Sequence, residues 1–460
     1  MTDRSRAIGR RTGLLLAGAA GAAALLATAL LVPGPVVVAT PQGVEVTPVR
    51  AAQQLVCGGP VLGLSRGENP ELIAVGEPDR RVAGEGLVEG ALVESDAVDG
   101  GAAVVELPAE APSDDVAATE RQALDEAELG GLAVAECLPP APTAWLVGGS
   151  TTTGRSSTVV LSNPGVVAAT VDLAVWGTDG ARETPGTNGI IVEPGEQRLI
   201  PLAGIAPDEA SPVVRVSSRG GAVAATLQQS TIVGLEPAGL DVVTPVTAPA
   251  ERVVIPAAPI ADAQALAEAT ASFGAVDFAP VLRVLAPGDE GAEITVSILP
   301  EAGGEGAALT ASIDAGAVVD LALSELADGE YSIIVDATAP IVAAARTSVA
   351  AADGVDTAWF SAAPALAETD GDILAAIAPG SGATLHLVAP DEGATVTIDG
   401  QTVEVPARSR TSLPVPGGSA PVLTVSGGVH ASVTYRTDAG LASSRILPPV
   451  AAPRPITVYP

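Results

Sequence analysis

Few residues in this 460-residue sequence have the types and spacing that catalysis would need. Gly63-Leu-Ser-Arg-Gly67 satisfies the Gly-x-Ser-x-Gly pattern of a nucleophilic serine, and the two histidines, His386 and His430, could serve as bases. A nucleophile elbow needs a strand that runs directly into a helix of an α/β domain. Here the pattern lies in a glycine-rich stretch of a chain that otherwise has the pattern of β-strands. We therefore interpret it as coincidence and predict no catalytic residue.

Acidic side chains offer a second kind of chemistry. Asp289-Glu290 and Asp370-Gly-Asp372 resemble loose calcium-binding loops, but neither has the spacing of such a loop. Residues 68–128 contain 17 acidic residues and three arginines, which is typical of a solvated segment and less often of cation binding. We expect no metal and no cofactor. Paired carboxylates that cleave glycans are the alternative chemistry, although no stretch singles them out.

The two cysteines, Cys57 and Cys137, are predicted to form a disulfide. In an exported chain two cysteines pair more often than they stay free. The bridge would close a loop of about 80 residues, and the chain-entropy model predicts that it stabilises the folded state by about 4 kcal/mol. A metal site is the other reading, but it lacks further ligands because both histidines lie far along the chain.

The charge balance excludes several classes of function. The formal net charge is −32, with 54 acidic residues against 22 basic ones. Such a chain repels phosphate backbones, so we expect no nucleic-acid partner. All the basic residues are arginines. The chemistry of the P-loop lysine, the Schiff-base lysine and the Ser-x-x-Lys acyl enzymes is therefore impossible.

The N-terminus predicts the compartment. Residues 1–12 carry four arginines, and residues 13–32 form an uncharged apolar run long enough to span a bilayer. By the positive-inside rule the basic tail stays in the cytoplasm and the rest of the chain lies outside the cell membrane. The sequence thus predicts a single-pass signal-anchor. Secretion after cleavage of a long signal peptide is the alternative.

A repeated strand pattern organises the rest of the chain. Residues 157–176 read as a strand, a Pro-Gly turn and a second strand, and residues 282–299 and 385–398 fit the same template. The order of the following strands and turns also recurs, which predicts three tandem immunoglobulin-like β-sandwiches after the transmembrane helix. The predicted parts are a stalk with an acidic insert and a cysteine-closed loop at 33–140, sandwiches at 141–250, 251–363 and 364–448, and a tail at 449–460.

Alignment of the three copies also predicts which face of the template strand is buried. Residues on either side of Val160, Arg283 and His386 stay apolar in every copy while these middle positions vary, which predicts that the middle positions face solvent. His386 is therefore expected on the surface. Two helices are also predicted, a brief one over 117–129 and one over 260–270.

Four stretches of the sequence resemble a known family. They are Cys57-Gly-Gly-Pro60, the Cys137-Leu-Pro-Pro140 segment, Trp145-Leu-Val-Gly-Gly149 and Leu161-Ser-Asn-Pro164. Together with the N-terminal apolar run they resemble the actinobacterial family filed as domain of unknown function 5719, across most of residues 50–450. The resemblance implies an exported, envelope-associated protein and supplies no catalytic residues.

The sequence therefore predicts a non-catalytic protein. We expect a membrane-anchored extracytoplasmic scaffold or adaptor of the cell envelope that binds a protein partner through its sandwiches. An envelope glycan-modifying or hydrolytic accessory enzyme that uses carboxylates is the alternative. A solute-binding protein is disfavoured because no two-lobed α/β pattern is present.

Overall fold

Short runs of alternating Val, Leu, Ile and Ala residues form strands throughout the computed structural model, which confirms the prediction of a mainly β protein. The structure describes residues 18, 21, 44–46, 51–65, 71–113, 115–126, 128–273, 278–300, 306–352, 354–368, 371–450 and 456–458. Within these residues the chain divides into two compact units, residues 1–49 with 453–460, and residues 50–452. In the first unit, strand β1 (Val44–Val46) pairs antiparallel with β36 (Ile456–Val458).

Among its described residues, the N-terminal region of the second unit contains nine strands, eight of them in small antiparallel sheets. Their sheets are β2-β8-β6, β10-β9-β5 and β3-β4, and β7 joins a sheet of the following region. The strands are β2 (Gln53–Cys57), β3 (Val61–Leu64), β4 (Leu72–Val75), β5 (Asp79–Ala83), β6 (Val88–Ala91), β7 (Glu94–Ser95), β8 (Ala103–Leu107), β9 (Ala117–Glu126) and β10 (Leu129–Glu136).

This region differs from the predicted stalk with a solvated insert. The helix predicted over 117–129 is wrong, because β9 and β10 form an antiparallel hairpin there. Ala118, Thr119, Glu120 and Gln122 of β9 are buried. The helical prediction relied on acidic and alanine content, which does not encode the pairing of β9 with β10 and β5.

The region that follows contains two five-stranded sheets, with the orders β11-β17-β13-β14 (β15 also pairs with β13) and β19-β18-β12-β16-β7. The strands are β11 (Thr143–Val147), β12 (Arg155–Ser162), β13 (Ala169–Gly177), β14 (Gly180–Arg182), β15 (Ile190–Val192), β16 (Glu196–Pro201), β17 (Val213–Gly220), β18 (Ala224–Val233) and β19 (Glu236–Val243). Trp145 and Trp176 stack in the core with ring centroids 5.3 Å apart.

One long strand, β25, dominates the next region. It runs for 23 residues and pairs along its length with β20, β22, β21 and β26. The strands are β20 (Ala250–Ile260), β21 (Val281–Leu285), β22 (Ala292–Pro300), β23 (Ala307–Ile313), β24 (Val318–Ala322), β25 (Gly329–Ala351) and β26 (Gly354–Ser361). Helix α1 (Ala263–Phe273) follows β20, close to the predicted helix over 260–270.

The last region contains two sheets, β27-β34-β29-β32 (β35 also pairs with β34) and β28-β33-β30-β31. The strands are β27 (Ala365–Leu366), β28 (Asp372–Leu374), β29 (Ala383–Ala389), β30 (Ala394–Ile398), β31 (Gln401–Val405), β32 (Ser409–Pro414), β33 (Val422–Ser426), β34 (Val429–Thr437) and β35 (Gly440–Arg445). The finer assignment of three immunoglobulin-like sandwiches stays a prediction.

The middle position of the template strand is buried in all three copies, so the predicted solvent-facing side is wrong. Val160 is 6% exposed, Arg283 0% and His386 1%. Neighbouring regions cover this side, since Val160 packs against Leu62 and the Arg283 guanidinium donates to the carbonyl of Gly149. The prediction treated each copy as a separate sandwich, whereas contacts with neighbouring regions bury the second face.

No helix in the described part of the chain is long and apolar enough to cross a membrane. The predicted anchor at 13–32 lies outside the described residues except for Gly18 and Gly21.

Candidate functional site

The predicted disulfide joins β2 to the end of β10. Cys57 and Cys137 are bonded to each other, and both are almost completely buried. Next to the bridge, the N–H of Leu138 donates to the carbonyl of Val56 at 2.9 Å, and the reverse bond is 2.8 Å. The disulfide therefore fixes the β2 sheet to the β9–β10 hairpin.

Among the described residues, no helix adjoins the serine pattern. Gly63 and Leu64 end β3, and Ser65 lies in the β3–β4 hairpin, where its hydroxyl accepts a hydrogen bond from the Glu71 N–H. Arg66 and Gly67 lie outside the described residues. The arrangement at Ser65 is that of a turn rather than of a nucleophile elbow.

His386 is a buried member of β29 rather than the surface residue that we predicted. Its Nδ1 lies 3.0 Å from Ser412 Oγ and its Nε2 lies 2.8 Å from Thr434 Oγ1. Burial, together with the nearby charge of Arg410, lowers the pKa of His386 to about 3. The neutral imidazole therefore links three adjacent strands through their side chains.

We expect this histidine to make the protein less stable in acid. The unfolded chain binds a proton near pH 6.5 while the folded chain resists it, so stability is lost as the pH falls from about 6.5 towards 3. The loss can reach about 1.4 kcal/mol per pH unit for one proton. Urea unfolding of the native protein and of His386→Gln between pH 7 and 4 measures this loss of stability. A stability difference between the two that does not change with pH would contradict the prediction.

The other candidate residues lie apart from one another. His430 Nδ1 is 2.8 Å from the carbonyl of Ala363. Asp289 and Glu290 lie in an exposed turn, and Asp372 accepts a hydrogen bond from a threonine on the adjacent strand β33. Asp370 is outside the described residues. The described residues contain no group of three His, Cys, Asp or Glu side chains placed to hold a metal ion.

A feature that the sequence did not predict is a ring of four strands at the centre of the second unit. Strands β10, β19, β26 and β35 end the four regions described above, and each packs against two others of the set. We call these four strands the central ring. Each contains a glycine in nearly the same conformation, with φ of 140°, 137°, 139° and 145° at Gly131, Gly239, Gly354 and Gly440 respectively.

The carboxylate of Asp356 joins all four strands of the central ring. Its Oδ2 accepts main-chain N–H bonds from Leu132 at 3.2 Å and Leu441 at 2.9 Å, and its Oδ1 accepts one from Leu240 at 3.1 Å. These three donors occupy the same place in their strands, directly after the glycine. Burial raises the pKa of Asp356 to about 7, and the main-chain donors oppose that rise.

Glycine is required where the other strands approach this carboxylate. A Cβ atom added at Gly131 would collide with Asp356 Oδ1, and one added at Gly440 would collide with Oδ2. Both positions also have a positive φ that side chains rarely adopt. The Gly-Leu-Asp and Gly-Val-Asp sequences at 239–241 and 354–356 are a signal of this arrangement, since the same pattern recurs in the second strand of two hairpins.

Two further buried acids hold the central ring. The Asp241 carboxylate accepts the main-chain N–H of Trp359 at 2.7 Å, and burial raises its pKa well above the usual value. Glu136 on β10 accepts hydrogen bonds from the N–H and guanidinium of Arg445 on β35. The same guanidinium donates to the carbonyl of Ala362, so it links three regions.

A cavity of about 190 Å³ lies at the hairpin end of the central ring. Its lining includes Asp356 together with Asp125, Asp438 and parts of all four hairpin turns. A carboxyl group with a pKa near 7 could act as a general acid or base. Both oxygens of Asp356 already accept main-chain hydrogen bonds, however, so the geometry also fits a purely structural carboxylate.

A surface groove lies between the N-terminal region and two Pro-Gly turns. It has a volume of about 470 Å³. One wall is the outer face of β6 and β8, and the other contains the Pro164-Gly165 and Pro194-Gly195 turns. Four exposed valines lie in or next to it, with exposed fractions of 56% at Val88, 89% at Val93, 91% at Val166 and 55% at Val167. We call this surface the valine groove.

The buried side chain of Asn163 shapes one wall of the valine groove. Its amide Nδ2 donates to the carbonyls of Val167 and Val192, both at 2.9 Å, and its Oδ1 accepts the N–H of Gly165 at 3.0 Å. Its main-chain carbonyl also accepts the N–H of Gly195. One completely buried asparagine therefore fixes both Pro-Gly turns.

Comparisons with known proteins give a family but no function. The profile of the family of unknown function DUF5719 matches residues 92–426. No curated protein matches the chain. The crystal structure of Thermotoga maritima 1070 is similar to 25% of the chain over 93% of its own length, at 18% identity and a TM-score of 0.21.

Two other solved structures cover more of the chain at lower similarity. An anti-sigma factor domain-containing protein covers 87% of it at 9% identity and a TM-score of 0.13. The BSP domain of a biofilm associated protein covers 93% at 8% identity and a TM-score of 0.11. Similarities this low carry no argument about function.

Proposed function

Since the chain belongs to the DUF5719 family of unknown function, we propose its function from its own geometry. We propose a non-catalytic scaffold or adaptor, anchored in the cell membrane through residues 13–32 and exposed outside it, in the envelope of an actinobacterium. The valine groove is the observation that supports this proposal. Four solvent-exposed valines around one depression are the kind of patch that marks a protein interaction site.

The chemistry of the valine groove supports one kind of partner. The wall formed by β6 is an extended surface, and the lining is apolar except for Glu106. An extended segment with apolar side chains fits such a groove. Because the protein carries a net charge of −32, basic residues that flank the segment would speed association and strengthen it. We therefore propose an extended apolar segment with basic flanks, from another envelope protein.

Site-specific photo-crosslinking in the native cell tests the valine groove. A crosslinking amino acid at Val166 is expected to trap one discrete partner, whereas the same amino acid at Leu235 is expected to trap none. Leu235 is a matched control because it is 88% exposed and lies outside the groove lining. Equal crosslinking at both positions, or none at Val166, would overturn the proposal.

With the trapped partner purified, a substitution measures the contribution of the groove. Val166→Asp is expected to weaken binding at least tenfold, because it places a charge in an apolar contact where the charge loses its hydration. Leu235→Asp changes the net charge equally and is expected to leave the dissociation constant within twofold. The same Kd for both variants would place the contact elsewhere.

The anchor has its own test. Full-length protein is expected in the membrane fraction after a high-salt wash, with its N-terminal residues intact. A shorter N-terminus that begins beyond residue 32, together with release into the medium, would support the alternative of a cleaved signal peptide.

An accessory hydrolase of envelope glycans is the second candidate. It is favoured by the cavity next to Asp356, whose pKa of about 7 suits acid–base catalysis. If it is correct, purified protein cleaves envelope glycan with a rate that changes near pH 7, and Asp356→Asn abolishes cleavage while the fold is retained. No cleavage by the native protein between pH 5 and 9 would remove this candidate.

A further inference from the structure

An apolar cavity lies beneath helix α1. Its volume is about 310 Å³, and its walls come from one face of the helix, from the end of β20 and from β25. The helix contributes Ala263, Leu266, Ala267 and Thr270, which are spaced three or four residues apart and so share one face. Helix α1 has 11 residues and lies among the strands of a mainly β chain.

The lining of this cavity contains no charged side chain. Its large apolar side chains are Phe278, Ile260, Leu326 and Leu266. The Thr270 hydroxyl donates a hydrogen bond to the carbonyl of Leu266. A cavity of this kind favours an uncharged ligand, since burial of an unpaired charge is costly. Its volume is about twice the ~150 Å³ of an apolar cavity that holds benzene.

One polar group in the lining has no partner. Thr347 on β25 is 0% exposed, and its Oγ1 makes no hydrogen bond with any described residue. The next residue, Ser348, differs because its hydroxyl is 3.0 Å from that of Thr357. A buried hydroxyl without a partner is uncommon and calls for an explanation, such as a role in binding.

We propose that this cavity binds a small uncharged apolar molecule that carries one hydroxyl or carbonyl oxygen. The apolar part of the ligand fills the space between α1 and β25. Thr347 turns its hydroxyl into the cavity by rotation about the Cα–Cβ bond and forms a hydrogen bond with the ligand oxygen. This site is separate from the valine groove and does not depend on the proposed scaffold function.

A matched pair of probes tests both parts of the proposal. 2-Phenylethanol and propylbenzene have nearly the same shape, but only the former has an oxygen. Titration calorimetry is expected to show saturable binding of both to the full chain. Thr347→Val keeps the shape of the side chain and removes its hydroxyl. This variant is expected to weaken the binding of 2-phenylethanol about fivefold to tenfold and to leave the affinity for propylbenzene unchanged.

Two helix variants locate the binding site. Ala267→Phe places a ring in the cavity and is expected to abolish binding of both probes, while Ala265→Phe, on the same helix but outside the lining, is expected to leave both affinities unchanged. Circular dichroism and melting temperature confirm that both variants fold. No saturable binding of either probe, or equal loss in the two helix variants, would overturn the proposal. If Thr347→Val weakens the binding of both probes equally, the proposed role of the Thr347 hydroxyl is wrong.

Discussion

Replacement of Asp356 by alanine is expected to lower the free energy of unfolding by about 3–6 kcal/mol. The carboxylate accepts three main-chain N–H groups from three other strands, and all three donors lose their acceptor in this variant. A buried donor without a partner costs about 1–3 kcal/mol. Chemical denaturation at pH 6 measures the loss. Asp289→Ala, at an exposed turn, is the control and is expected to change stability by less than about 0.5 kcal/mol.

The pH dependence of the same variant provides a second readout. Because burial raises the pKa of Asp356 to about 7, the folded protein binds this proton more tightly than the unfolded chain does. Protonation of Asp356 therefore favours folding at low pH, and this contribution is lost as the pH rises from about 4 to 7. In Asp356→Ala that part of the pH dependence disappears. If stability falls as much over this range in the variant as in the native protein, the carboxyl of Asp356 does not titrate there.

Loss of either member of the Glu136–Arg445 pair is expected to cost about 3–5 kcal/mol, because the remaining charge stays buried without its partner. The double variant Glu136→Met, Arg445→Met removes both charges of this pair and is expected to be more stable than either single variant. A double-mutant cycle by urea denaturation measures this coupling.

The exposed pair Arg219–Asp172 provides the comparison for this cycle. Its arginine side chain is 72% exposed, so a coupling of no more than about 1 kcal/mol is expected. If the losses in free energy of unfolding at Glu136 and Arg445 are additive, the two side chains stabilise the protein independently.

The strands were predictable because their signals are local. The Pro-Gly turn at Pro164 and the apolar alternation around Val159 and Leu161 appear in a single stretch of sequence, and both residues are completely buried as expected. The disulfide could also be predicted, since the chain has only two cysteines.

The environment of the second sheet face was not predictable in the same way. Arg283 has the residue type of an exposed position, but its guanidinium pairs with Asp320 and donates to the carbonyl of Gly149 in the preceding region. Such burial depends on how two regions pack, which alternation within one strand does not encode. The error at His386 has the same origin.

The site around Asp356 was missed for a related reason. Its three donors are main-chain N–H groups, and a sequence does not show which main-chain groups converge in space. The glycines of the central ring are visible in the sequence, but a template of three sandwiches leaves out the N-terminal region, which contains Gly131.

The central ring also has a consequence for the order of folding. Its strands come from positions between Leu129 and Arg445, so its contacts join parts of the chain that are hundreds of residues apart in sequence. Contacts of such long range form slowly, because the loop between them must first be closed. When the chain emerges from a ribosome or a translocation channel, each of the first three regions can form its own sheets, but Asp356 gains its last N–H donor only when Leu441 arrives. Completion of the ring is therefore a late step that requires the last region.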